Sequence, residues 1–83
     1  MYVIKKDNTH EAWNVQKVVV AVNKSAYRAM VKFTQEELDF ICSFVEEKAR
    51  SLGREGIPMA EMDNIVEAAL EQVKGEGWKR YWD

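Results

Sequence analysis

Lys5, Lys6, Glu11 and Lys17 place three cations and one carboxylate in a single short unit near the start of the chain. Ammonium groups gathered this closely suit a small anion, above all a chain of phosphates. Lys17 also stands at an expected helix start, where unpaired backbone N–H groups and the helix dipole favour negative charge. A carboxylate in their company has a different use: it can accept from a donor such as the exocyclic amino group of adenine. The plain alternative is that these are ordinary solvated charges on a small hairpin. Of two adjacent strand lysines only one faces a given side, so the pair alone decides nothing.

Other chemistry is thinly supplied. His10 is the single histidine, with no nucleophile paired to it, and reads as a polar surface residue. The single cysteine, Cys42, excludes an internal disulfide and a paired-cysteine zinc cluster, and its neighbours Ile41 and Phe44 suggest a buried structural thiol. Glu36-Glu37 and Glu46-Glu47 read as solvated helix faces rather than metal ligands. Gly53-Arg54-Glu55-Gly56 is no P-loop or dinucleotide fingerprint, because it lies between two helical patterns with no strand before it.

The elements that must position the charged unit follow from patterning. Tyr2, Val3 and Ile4 suit a pleated surface, Asp7-Asn8 tolerate a tight two-residue turn, and Thr9 to Trp13 can return, giving a hairpin over 2–13. That turn would set Lys6 opposite Thr9, Lys5 opposite His10 and Ile4 opposite Glu11. Asn14 can then cap a helix over about 14–31, whose apolar stripe is Val15, Val18, Val19, Val22, Ala26, Ala29 and Met30, with Phe33 beyond it. The spacing is helical and outweighs the strand preference of the valines.

Thr34-Gln35-Glu36-Glu37 has the form of a capping box opening a second helix over 34–52, with Leu38, Ile41, Cys42, Val45, Ala49 and Leu52 as its stripe, widened by Phe40 and Phe44. Gly53 to Pro58 is a breaker segment, and Pro58 suits the first turn of a third helix over 58–74. Met59, Met62, Ile65, Val66, Ala69, Leu70 and Val73 make its stripe, a pattern more typical of core than of a ligand box. Gly75 to Gly77 end it, and a partial fourth helix is expected over 77–83, with Trp78 and Trp82 covering the core.

The expected fold is thus α+β, mostly α: a single small domain over 1–83, a bundle of three to four helices capped by an N-terminal β-hairpin. At 83 residues and 47% apolar composition, a real but modest core is plausible. Twelve basic against fourteen acidic residues give a formal charge of -2, which lends no overall field to nucleic-acid binding. Apolar runs such as Val18 to Val22 fall far short of the roughly 20 residues that span a bilayer, so neither a membrane segment nor a signal peptide is expected. Cysteine usage favours a reducing, cytoplasmic setting.

The run VIKKDNTHEAWNVQKVVVAVNKSAYRA resembles the start of an ATP-cone domain: a hairpin with a lysine pair, a glutamate on the return arm, a lysine at the helix start and a following Ala-rich run. IPMAEMDNIVEAAL resembles that family's later Ile-x-x-Glu-Ile-x-Asp-x-Val-Glu-x-x-Leu helix. The resemblance covers nearly the whole chain. It implies a small helical bundle capped by a hairpin or three-stranded sheet, binding ATP or dATP as an allosteric effector and controlling a ribonucleotide reductase, with a slight preference for the anaerobic class. By position it implies that Lys5, Lys6 and Lys17 meet phosphates, with magnesium as an optional companion. Glu11 and the backbone of Val3, Ala12, Trp13, Asn14, Val15 and Gln16 would frame the base. Asp63 would face the ribose hydroxyls, with Met59 one turn earlier in a nearby contact position. Lys5 and Glu11 would point into the pocket and Lys6 would reach its rim.

The sequence departs from the family pattern at the turn, where Asn8 replaces glycine, and at Asn14 and Gln16, where an acidic residue is common. Met59 stands where some members have threonine, and the family's usual end extends past Trp82-Asp83. The resemblance further implies partnership with the catalytic part of a parent reductase, of which 1–83 would be the N-terminal part, and homo-oligomers through the domain. It implies no redox cofactor, catalysis, nucleic acid or membrane. The competing class is a small helical protein-interaction module with no nucleotide ligand.

Overall fold

A hairpin formed by β1 (Tyr2–Ile4) and β2 (His10–Ala12) opens the chain. The computed structural model describes residues 1–75 and Trp78. Asn8 N donates to Lys5 O and Lys5 N to Thr9 O, each at 2.9 Å, so the loop is three residues long, Lys6-Asp7-Asn8, rather than the expected two. Its side chains explain this. Asp7 Oδ1 accepts from Thr9 N at 3.0 Å and from Thr9 Oγ1 at 2.6 Å, and Asn8 adopts φ 67. A β-turn followed by a left-handed residue is the usual three-residue hairpin loop. Those two bonds from Thr9 also hold the Asp7 carboxyl below its ordinary value.

The extra loop residue corrects the expected register. Tyr2 pairs with Ala12, Val3 with Glu11 and Ile4 with His10, instead of Ile4 with Glu11, Lys5 with His10 and Lys6 with Thr9. A slip of one residue exchanges the two faces of a strand. Glu11 therefore shares the face of Val3, which turns toward the helices, while Tyr2 and His10 stack on the other face with ring centroids 4.3 Å apart.

β3 (Gly56–Pro58) lies parallel to β1, giving the order β2-β1-β3, with Val3 opposite the buried Ile57. The residue-by-residue expectation held only a breaker segment here. Pro58 is tolerated because it closes an edge strand, where no donor is missed, and it precedes the third helix as its N-cap instead of entering the first turn. Gly56 leaves room for Tyr2: a Cβ there would stand 2.5 Å from the far edge of the Tyr2 ring, which would have to shift.

The helices are α1 (Val15–Arg28), α2 (Gln35–Ser51) and α3 (Met59–Lys74). Asn14 caps α1 by accepting from Gln16 N at 2.9 Å, and the Thr34–Glu37 capping box of α2 forms with both of its bonds. α1 stops three residues before the expected 31. Ala29 is its C-cap, Met30 turns left-handed at φ 58, and Val31 N donates back to Ala26 O at 3.0 Å. The turn throws Met30 out of the expected stripe to 92% exposure. Phe33 swings in instead, against Trp78 with ring centroids 5.5 Å apart.

Val22, Ile41, Val45, Ile57 and Leu70 form the centre of the core, and α2 packs most extensively on α3. The α2 stripe is narrower than expected, since Phe40 and Leu52 are exposed and Cys42 is half-buried rather than buried. Trp78 does cover the core: it is buried, and its Nε1 donates to Ser25 Oγ at 3.2 Å. The expected fourth helix over 77–83, with Trp82, lies outside the described residues. The architecture is the expected α+β, mostly helical fold, with a three-stranded sheet in place of a bare hairpin.

Candidate functional site

The corrected register, the Asn14 cap and the β1–β3 pairing converge on one cavity of about 220 Å³. The sheet contributes Val3, Glu11 and Ala12, and the junction into α1 contributes Trp13 and Asn14. α1 adds Lys17, Val18 and Ala21, which share one helical face; α3 adds Met59, Met62, Asp63 and Val66 at spacings of three, one and three. β3 is what delivers the start of α3 to the sheet. The result is an apolar cleft with a charged side at Glu11 and Lys17 and a second carboxylate, Asp63, on the facing helix.

Glu11 organises the charged side. Its Oε2 lies 3.2 Å from Lys5 Nζ, and its Oε1 pairs with Lys17 Nζ. The side chains of Lys5 and Lys17 are 43% and 63% exposed, that of Glu11 only 27%. Ion pairs this close to solvent are each worth about 0–1 kcal/mol, so the lysines are held loosely. Trp13 is tied from outside the cavity, its Nε1 donating to Glu46 Oε1 of α2 at 3.4 Å.

Of the residues marked from sequence, Val3, Glu11, Ala12, Trp13, Asn14, Lys17, Met59 and Asp63 line the cavity. Lys5 joins it through Glu11. Lys6, on the exposed hairpin loop, and Val15 and Gln16, at the start of α1, are not in its lining. The N–H groups of Gln16 and Lys17 are both taken by Asn14, the first by its side chain and the second by its carbonyl at 3.1 Å. The helix start thus offers an anion its dipole more than open donors.

Val18, Ala21, Met62 and Val66 line the cavity without having been marked as site residues. Val18, Met62 and Val66 were assigned to the core, and Ala21 to nothing. Helical spacing from the marked residues is the signal available, because Ala21 lies one turn after Lys17, Met62 one turn after Met59 and Val66 one turn after Asp63.

Nothing among the described residues gathers three or more potential metal ligands, and no described helix is long and apolar enough to cross a membrane. Burial, with Asp39 and Glu46 nearby, pushes the Cys42 thiol up and away from nucleophilic use.

Comparison with curated proteins and with solved structures gave no match. Comparison with protein families gave a match to the ATP cone domain over residues 1–81. Members of that family are regulatory nucleotide-binding domains that take ATP or dATP as effectors and have no catalytic activity of their own. Matched over almost its whole length, this chain belongs to the ATP cone domain family.

Proposed function

We propose that the cavity between the sheet, α1 and α3 binds ATP or dATP and that the domain passes the identity of the nucleotide to a ribonucleotide reductase. The observation that carries the nucleotide part is the grouping of Lys5, Lys17 and Glu11 on one side of an apolar cleft, with Asp63 across from them. Lys5 and Lys17 take phosphates, with Lys6 approaching from the hairpin loop. The base lies against Val3 and the segment Ala12, Trp13 and Asn14, with the backbone of Val15 and Gln16 continuing that frame just outside the lining and Glu11 accepting from its amino group. Asp63 meets the ribose hydroxyls, and Met59 packs beside the sugar.

The reductase is the finer half of the reading and rests on the family. In it, residues 1–83 form one regulatory unit at the N-terminus of a cytoplasmic reductase chain, working on the catalytic part. Magnesium accompanies the phosphates, and copies of the domain associate when nucleotide binds. The cysteine usage and the absence of a membrane-spanning helix among the described residues agree with that setting.

Titration of the chain with ATP and dATP, followed through amide shifts of residues 3–17 and Trp13 fluorescence, tests the nucleotide part. Saturable shifts centred on the cavity are expected, and no change at millimolar nucleotide would favour the helical interaction module. Asp63→Ala should alter the ratio of ATP to dATP affinity; an unaltered ratio removes Asp63 from the ribose. In a reductase carrying the domain, Lys17→Ala should blunt the response of turnover to both nucleotides.

A further inference from the structure

Glu11 stands in an unusual place for an anion site, because the two cations best placed for phosphate are both turned toward its carboxylate. The three groups differ in freedom. Glu11 sits in mid-strand, pinned opposite Val3 by the hairpin register, and its side chain is the least exposed of the three. Lys5 and Lys17 carry long, flexible stems and lie at the start of the hairpin turn and in the first turn of α1, so they can swing toward an incoming anion. Glu11, on a shorter stem from a paired strand, has less reach.

We infer that Glu11 is an internal competitor for the phosphate site, one that makes binding conditional on a base. This rests on the nucleotide reading of the cavity and adds a selectivity rule to it. An inorganic polyphosphate that draws Lys5 and Lys17 away leaves the carboxylate without its counter-charges and places its own negative charge beside it. Like charges brought together in this way oppose binding strongly. A nucleotide relieves both problems. Its base enters the apolar cleft beside Val3, Ala12 and Trp13, and an exocyclic amino group on that base gives the stranded carboxylate a new donor. A base with a carbonyl oxygen at the same ring position instead sets two acceptors against each other. Glu11 thus rejects free phosphates and favours amino-bearing purines through one charge.

Glu11→Gln tests this, since the amide keeps the shape and removes the charge. The probes are sodium tripolyphosphate, ATP and GTP, each titrated calorimetrically into the full chain at fixed ionic strength. Glu11→Gln should bind tripolyphosphate about tenfold more tightly than the wild type. It should also narrow the preference for ATP over GTP. Glu47→Gln, the same charge change on the exposed face of α2, should leave tripolyphosphate affinity as in the wild type. The inference is overturned if Glu11→Gln weakens ATP while tripolyphosphate binding is unchanged, which makes Glu11 a base contact only and leaves the nucleotide reading intact. It is also overturned if Glu47→Gln gains as much as Glu11→Gln, which reduces the effect to net charge. Failure of both the wild type and Glu11→Gln to bind ATP at millimolar concentration overturns the nucleotide reading itself.

Discussion

At the scale of single residues, Lys17 carries the least ambiguous prediction. Its ammonium reaches Glu11 from α1 while Lys5 reaches the same carboxylate from the hairpin, so in the proposed site a phosphate chain would be gripped from two elements. Hydrogen bonds to charged groups contribute about 1.5–3 kcal/mol, so Lys17→Ala should weaken ATP roughly 10- to 100-fold. Adenosine, which offers no phosphate, should bind the variant and the parent alike; parallel titrations of the two ligands check this, and equal losses would detach Lys17 from phosphate. The grouping of Lys17 with Lys5 was legible in the sequence because a helix cap fixes where the first turn points. The face of Glu11 was not legible from the strand pattern. It depends on whether the hairpin loop holds two residues or three, and that is decided by the Asp7 side chain bonding Thr9 and by the left-handed Asn8.

At the scale of elements, what could be read was what is encoded locally. The Asn14 cap, the Thr34–Glu37 box and the helical stripes each draw on residues within one or two turns of each other; both caps form, and the stripes form except at Met30, Phe40 and Leu52. β3 draws on β1, more than fifty residues away in sequence, and three residues ending in proline carry no strand signal of their own. Its clearest trace is Gly56. A methyl group there would overlap the Tyr2 ring, so Gly56→Ala should destabilise the domain by about 1–3 kcal/mol in urea unfolding. The loss should shrink when Tyr2 is also reduced to alanine; an undiminished loss would place the cause in the backbone instead.

The pairing of α2 with α3 is open to a pH test. Glu37 accepts from Thr34 N at 2.9 Å and from Lys74 Nζ at 3.0 Å, and these contacts hold its carboxyl below the ordinary value of 4.5. A carboxyl lowered in the folded state stabilises it fully above its unfolded pKa and loses that contribution as the pH falls through the folded one. The wild type should therefore exceed Glu37→Gln in urea midpoint by a constant margin at pH 6 to 7. That margin should close as the pH is lowered below about 4.5. A margin undiminished at pH 3 would show that the stabilisation does not come from the ionised carboxylate.

At the scale of the whole molecule, the cavity draws its walls from both arms of the hairpin, the first half of α1 and the first half of α3, so the proposed nucleotide would bridge these three parts of the domain. ATP at a hundred times its dissociation constant should add about 2.7 kcal/mol to the stability of the chain. For a domain of this size that is a rise in melting temperature of roughly 10 °C or more. A melt with and without ATP measures it, and Lys17→Ala should forfeit most of the rise.

The parallel pairing of β1 with β3 also sets a schedule. A two-stranded hairpin is marginal in water on its own, and β1 is completed as a central strand only when Gly56 to Pro58 arrive. During synthesis the lysines and Glu11 emerge first, while the far wall, from Met59 to Val66, follows roughly forty to sixty residues later. At ordinary translation speeds that gap is roughly 2–12 s. Throughout it the hairpin offers charges without a cleft, so a nascent chain has no pocket to present until its third strand docks.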